Sequence, residues 1–279
     1  ATVNNTAGTW TYTPTLPASA GISYAIVARV SDAAGNLGAP SPSFDFVLDT
    51  TPPATTASIA RLSDDVGWIQ GNVRSGGHTD DVSPTISGFF SAPLEAGENL
   101  LIFTGTSLLG QARVNNTELT WSFTPNLPVS AGTSYSIVAR VSDAAGNLGT
   151  ASPTYRFRLD TAAPTATAAI TAINDNAGSI NGNVVPGGAT NDRTPTISGT
   201  LSAPLASGET LRVFSDGTLL GTARVNNSSR TWTYTPTLPA TSGTSYSITA
   251  RVVDAAGNLG AASEARTFTL DSTPPATTV

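Results

Sequence analysis

The chain has 279 residues, a formal charge of −6, and 13 basic residues that are all Arg; Lys, Cys and Met are absent. An acidic chain without a basic stripe offers a phosphate backbone nothing to bind, which argues against nucleic acid as a partner. No apolar run approaches the roughly 18 residues that a membrane span needs, no signal peptide is visible and no disulfide can form. The segment is therefore expected to be soluble, with no membrane insertion, and stabilised by its cores or by something added to them.

The predicted elements repeat along the chain. Residues 31–38 read SDAAGNLG, the same eight letters return at 142–149, and VDAAGNLG begins at 253. Asp32, Asp143 and Asp254 are thus 143 − 32 = 111 and 254 − 143 = 111 residues apart, and the interval also links Trp10, Trp121 and Trp232. A period this long matches an independently folding domain rather than a solenoid turn. It predicts the C-terminal part of a truncated repeat over 1–49, complete repeats over 50–160 and 161–271, and the start of a further repeat or linker over 272–279. The truncated part should supply about three strands, leaving Trp10 and Tyr12 without a facing sheet.

Within the first complete repeat, PTISGFF and NLLIFTG read as strands, followed by Trp121-Ser-Phe-Thr with large aromatics at every second position. In SYSIVARV, Tyr135, Ile137, Ala139 and Val141 share one face; in TYRFRLD, Tyr155, Phe157 and Leu159 oppose Arg156 and Arg158. Gly, Pro, Asn and Asp cluster between these runs, and helical spacing is absent. About seven short strands per 110 residues predict an all-β chain of tandem immunoglobulin-like antiparallel β-sandwiches arranged end to end. Tyr24, Tyr135 and Tyr246 follow a Leu-Pro corner, where a tyrosine hydroxyl can fold back onto backbone.

In this topology the DAAGN loop joins the last two strands at the N-terminal pole, and the long acidic connection between the first two strands lies at the opposite pole. LSDDVG supplies Asp64 and Asp65, HTDDVSP supplies Asp80 and Asp81, and the last strand ends at Asp160. End-to-end stacking brings Asp254 and Asn258 of the next repeat against them. Carboxylates so gathered repel by about 1 kcal/mol per pair at 4 Å even in water. Ca2+, which takes six to eight oxygens from carboxylates, amides and backbone, would reverse the sign. At the second complete repeat the matching residues are Asn174, Asp175, Asn176, Asn191 and Asp192, with Asp271 at the strand end, which predicts a weaker or differently liganded site. At the first junction only Asp49 and the incoming Asp143 and Asn147 remain.

Other chemistry is sparse. His78, the sole histidine, becomes Ala189 one period later, and no GxSxG is present, so catalysis is not expected. The sequons at Asn4, Asn115 and Asn226 fit hairpin turns. Trp68 becomes Ser179 and is expected to pack against the linker or to offer a glycan a small surface, with Phe89 and Phe90 as companions.

The run of LDTTPP, DDVG, TDDVSPTISG, TWSFTP and ARVSDAAGN resembles the bacterial Ig-like repeats of giant adhesins exported by type I secretion and used in biofilm formation or host attachment. The resemblance covers essentially the whole chain. It implies an extracellular rod on the bacterial cell surface, with Ca2+ at the domain junctions and neighbouring repeats as partners. The implied ligands are drawn from Asp64, Asp65, Asp80, Asp81 and Asp160, with Asp143 and Asp254 in the loops. A structural stalk, a module holding a glycan or host protein, and an accessory region of a large secreted enzyme are the three functions left open.

Overall fold

The computed structural model describes residues 1–239 and 243–274; of the predicted segment 272–279, residues 275–279 lie outside them. Every regular element among the described residues is a strand, so none is a helix long and apolar enough to cross a membrane. The N-terminal part forms two separate hairpin-like sheets, β1 (Thr2–Asn4) with β2 (Thr9–Thr11), and β3 (Ala20–Ile26) with β4 (Phe44–Asp49). That is four strands where about three were expected. Trp10 and Tyr12 are 53 % and 65 % exposed, so neither lies in a core.

Next come β5 (Ala57–Asp64), β6 (Gly71–Val73), β7 (Gly77–Thr79), β8 (Thr85–Phe90), β9 (Asn99–Thr104), β10 (Ser107–Gln111), β11 (Arg113–Asn115), β12 (Thr120–Phe123), β13 (Ala131–Ser142) and β14 (Tyr155–Asp160). They make two five-stranded sheets, β11-β12-β8-β5-β6 and β10-β9-β13-β14-β7. The pattern returns with β15 (Ala168–Asp175), β16 (Gly182–Asn183), β17 (Ala189–Thr190), β18 (Thr196–Leu201), β19 (Thr210–Ser215), β20 (Thr218–Thr222), β21 (Arg224–Asn226), β22 (Thr231–Tyr234), β23 (Thr244–Val253) and β24 (Arg266–Leu270). Their sheets run β16-β15-β18-β22-β21 and β17-β24-β23-β19-β20. These are immunoglobulin-like sandwiches in which the chain changes sheet between two short strands, from β6 to β7 and from β16 to β17. β5 pairs antiparallel with β6, and β7 then pairs parallel with β14, Leu159 beside Thr79. The switch turns the chain back to the pole where β5 ended, which is how Asp64 and Asp81 come to share it.

By packing density the chain divides into two compact units, one of Ala1–Ala60, Ile86–Phe123 and Ser136–Thr154, the other of Arg61–Thr85, Thr124–Tyr135 and Tyr155–Val279. In the first, Leu100, Ile102, Ile137, Ala139 and Val141 are fully buried, in keeping with the period-two faces of β9 and β13. In the second, Ile173, Ile197, Leu211, Val213, Trp232, Ile248 and Phe268 form a single core cluster.

Two local expectations resolve here. Asn4, Asn115 and Asn226 each accept two backbone N–H groups through Oδ1, at 3.1–3.2 Å, and so build turns. Tyr135 does not make the expected corner. Its ring stacks on Phe157 at 5.2 Å and 15°, and its hydroxyl has no hydrogen bond among the described residues. Tyr24 and Tyr246 stack likewise on Phe46 and Phe268. The corner is tied instead by Ser130, whose Oγ accepts the N–H of Thr133 at 2.8 Å.

Candidate functional site

The acidic pole begins where β5 ends. Asp64 is 4 % exposed; its Oδ2 accepts the Thr79 hydroxyl at 2.6 Å and its Oδ1 accepts the N–H of Val66 at 3.1 Å. Burial pushes its carboxyl above the usual range, with the Asp81 and Asp65 charges adding to the effect. Asp81, 1 % exposed, takes the Ser83 N–H at 2.7 Å on Oδ1, whereas its Oδ2 is buried with no hydrogen-bond partner. Asp80 Oδ1 is buried and unpartnered in the same way. Burial first, then Asp64, Asp254 and Asp81, push the Asp80 carboxyl up to about 6.

Gly67 makes room for this carboxylate. A Cβ on Gly67 would stand 2.0 Å from Asp80 Oδ2, and its φ of +66° is one that side chains avoid. Two buried anionic oxygens without donors are costly in a protein interior. The donor set, all oxygen, is what a hard cation such as Ca2+ takes. The chemistry of these oxygens is of the kind that the implied ion takes, but their grouping is not that of a closed site. No three Asp, Glu or His side chains among the described residues are gathered tightly enough to hold a metal alone. Main-chain and amide oxygens would have to complete any shell. Asp65 is exposed, and Asp160 Oδ1 accepts the N–H of Ala162 at 3.1 Å.

The DAAGN loop is held in form by its own Asp and Asn. Asp254 Oδ1 accepts the N–H groups of Ala256, Gly257 and Asn258, each at 2.9 Å, and Oδ2 accepts the Asn258 side-chain amide at 2.8 Å. The same amide nitrogen donates to the Asp160 carbonyl at 2.7 Å. Asp254 thus shapes the turn, and Asn258 is the group that reaches the end of β14. One period earlier, Asn147 Nδ2 bonds Asp143 Oδ2 at 2.9 Å and the Asp49 carbonyl at 3.0 Å. The Asn147 amide, with loop N–H groups behind it, holds the Asp143 carboxyl below the usual range; Asn36 does the same for Asp32. Asp49 Oδ1 accepts the N–H of Thr51. Replacing Asn258 by Asp would set an acceptor against two acceptors. We expect Asn258→Asp to lower stability at pH 7 by about 2 kcal/mol in urea titration. Asn36→Asp, where the amide meets the Asp32 carboxylate alone among the described residues, should cost less.

The corresponding pole of the following sandwich is quieter. Asp175 accepts the Thr190 hydroxyl at 2.7 Å, and Asp192 accepts the Thr194 N–H at 2.7 Å, as their counterparts do. Asp192 Oδ2, however, is satisfied by the Asn176 N–H at 3.1 Å, and Asn191 replaces the buried charge of Asp80. Asp271 Oδ1 accepts the N–H of Thr273. The orphaned carboxylate oxygens among the described residues are thus those of Asp80 and Asp81.

Sequence reasoning missed three parts of the site. They are Thr79, whose hydroxyl also anchors the Asp81 N–H at 3.1 Å, the cradle at Gly67, and the carbonyl acceptors of Asn147 and Asn258. The Thr-Asp-Asp and Thr-Asn-Asp spacing was the available signal for the first. The glycan surface changes as well. Phe90 is 6 % exposed and unavailable, and Trp68 stacks edge-on against Phe214 at 5.3 Å.

Several solved structures are similar. A Ca2+-stabilised adhesin that helps an Antarctic bacterium reach out and bind ice aligns at 20 % identity and a TM-score of 0.36, over 88 % of this chain and 56 % of that one. The I67–I69 fragment of the titin I-band aligns at 11 % identity and a TM-score of 0.32, over 78 % of this chain and 65 % of that one. The chain therefore spans less than two thirds of either matched chain. No curated protein matches it. The family description of the bacterial Ig-like domain matches residues 167–272, the stretch that holds β15 to β24. The match is confined to that stretch, less than half of the chain, and it is there that the sequence is similar to a bacterial Ig-like domain.

Proposed function

We propose that the chain is a stalk segment of a large bacterial cell-surface adhesin, stiffened by Ca2+ where its repeats meet. The repeats are 50–160 and 161–271, with 1–49 the C-terminal part of another and 272–279 leading onward. The observation that carries this reading is the pair of unpartnered buried oxygens, Asp80 Oδ1 and Asp81 Oδ2, at the pole where Asn258 grips the Asp160 carbonyl. Asp64, Asp65, Asp80 and Asp81 would hold the ion, Asp160 and Asp254 would contribute to its surroundings, and the ion would supply the positive charge that this cluster lacks. Asp175, Asp192 and Asp271 form a weaker version, as do Asp49 and Asp143. The role is mechanical, placing a binding region away from an extracellular surface, and the partners are neighbouring repeats. A family domain of bacterial origin and the recurrence of the Asn clamp one period apart support it.

Small-angle scattering of the chain with calcium and with chelator tests the reading. The maximum dimension should shrink, and its distribution broaden, when calcium is removed. An unchanged profile would count against the stiffening role.

A further inference from the structure

The segment after β5 also carries two apolar residues that cation binding does not use. Trp68 meets Phe214 edge to face, with ring centroids 5.3 Å apart and planes at 74°. Phe214 lies on β19 next to the fully buried Val213, so by strand alternation it points away from the sandwich core, and it is not a member of the core cluster. Yet it is only 5 % exposed. One period earlier, Phe103 is half-buried.

Beside Trp68, Ile69 rests on the DAAGN loop. A Cβ on Gly257 would stand 2.9 Å from the Ile69 nitrogen and 3.2 Å from its Cβ. Gly146, the matching glycine one period earlier, has the same kind of backbone, φ +89° against +105°, but its Cβ would meet nothing within 4 Å. The counterparts of Trp68 and Ile69 are Ser179 and Ile180.

We propose that Trp68 and Ile69 form an apolar latch that keeps the 50–160 repeat docked on the 161–271 repeat without metal. The latch rests on the division into repeats given above and not on calcium. Aromatic contact and apolar burial respond weakly to chelators and salt, whereas a carboxylate cluster responds strongly. Loss of the ion at this joint would then leave the two repeats in register. A joint made with Ser179 and Ile180 would have only one of the two apolar residues. The latch also accounts for Trp68 without a ligand, since its ring is committed to Phe214.

The chain has four Trp residues, so four indole N–H resonances are expected, and the one lost in Trp68→Ser is that of Trp68. In wild-type chain with excess chelator, this resonance should stay displaced by the Phe214 ring, and Phe214→Val should move it to an exposed position. Gly257→Ala should move it too, with the docked population falling about tenfold, the scale of an aromatic pair. Gly146→Ala carries the same backbone strain without the clash and should leave the resonance in place. An undisplaced Trp68 resonance in chelated wild type would overturn the latch, as would equal effects of Gly257→Ala and Gly146→Ala. Because every arm is run without calcium, failure of the calcium reading leaves this result unaffected.

Discussion

Calcium added to the chelated protein should raise the melting temperature of the sandwich that carries Asp64, Asp80 and Asp81 by about 10 °C. The figure follows from about 2.7 kcal/mol of linkage at free ion a hundredfold above Kd, acting on a domain of ~110 residues. Asp80→Asn should abolish most of the gain. In chelator the same substitution should have the opposite sign and stabilise the protein at pH 7. The reason lies in the folded-state carboxyl of Asp80, which burial and the neighbouring Asp64 push up to about 6 from 3.8. A carboxyl raised on folding favours the protonated form in the native state. Without metal, its effect is to increase stability as pH falls from 7 through about 6 towards 4, and that gain is lost as pH rises again. Asp64 is shifted in the same direction.

Asp143 and Asp32 are shifted down and act oppositely. The stability they contribute is present above their ordinary value of 3.8 and is lost as pH falls below it. The two groups occupy separate windows, so a melting curve taken between pH 7 and 4.5 reads the acidic pole. With saturating calcium the slope in that window should reverse, because protons and the ion compete for the same oxygens. A melting temperature indifferent to calcium, with Asp80→Asn also neutral in chelator, would remove the ion from this pole. Asn191→Asp provides the converse, giving the following sandwich the carboxylate it lacks and with it a stronger calcium response.

Gly88→Ala should be among the most damaging single-methyl additions in the chain. The ideal Cβ would lie 1.8 Å from the Ser58 carbonyl oxygen and 2.9 Å from the Trp121 ring. Neither neighbour can yield easily. The carbonyl belongs to β5 and accepts the Trp121 indole N–H at 3.2 Å, and Trp121 is 3 % exposed. Overpacking against backbone should cost at least about 3 kcal/mol, a large part of the total for one sandwich. Gly199→Ala should do the same to the following domain, where the Ala169 oxygen is 1.9 Å away and Trp232 is 2.6 Å away. Chemical denaturation followed by tryptophan emission would show each loss. Midpoints within a few tenths of a molar of wild type would mean that the strands separate there more readily than their packing indicates.

The strands that sequence made legible are those with a long alternating face. β8, β9, β12, β13 and β14 coincide with PTISGFF, NLLIFTG, TWSFT, SYSIVARV and TYRFRLD, because one face of each meets a core. β6 and β7 were hidden, being three residues each in a Gly-rich stretch. What makes β7 a strand is a parallel partner about 80 positions away in β14, which local composition does not mark. Of the acidic pole, the mutual influence of Asp64, Asp80 and Asp81 was legible through their carboxylates, although they are not gathered into a closed cluster. The joint was less so. Asn147 and Asn258 could be read as loop formers, but their second acceptors are main-chain carbonyls, and every residue has one. Trp68 stood out as unique, but its commitment to Phe214 depends on an outward-facing position of another strand.

The Asn clamp also imposes an order of events. Asn258 lies 98 positions after the Asp160 carbonyl that it holds, and Asn147 lies 98 after Asp49. Each donor sits in a loop between the last two long strands of its own sandwich, held in shape by an Asp at the end of the first of them. A chain folding from its N-terminus could therefore close this hydrogen bond only when almost all of the later sandwich is assembled. Closing it is a late event, since donor and acceptor stand 98 positions apart and the donor loop needs its own Asp in place first.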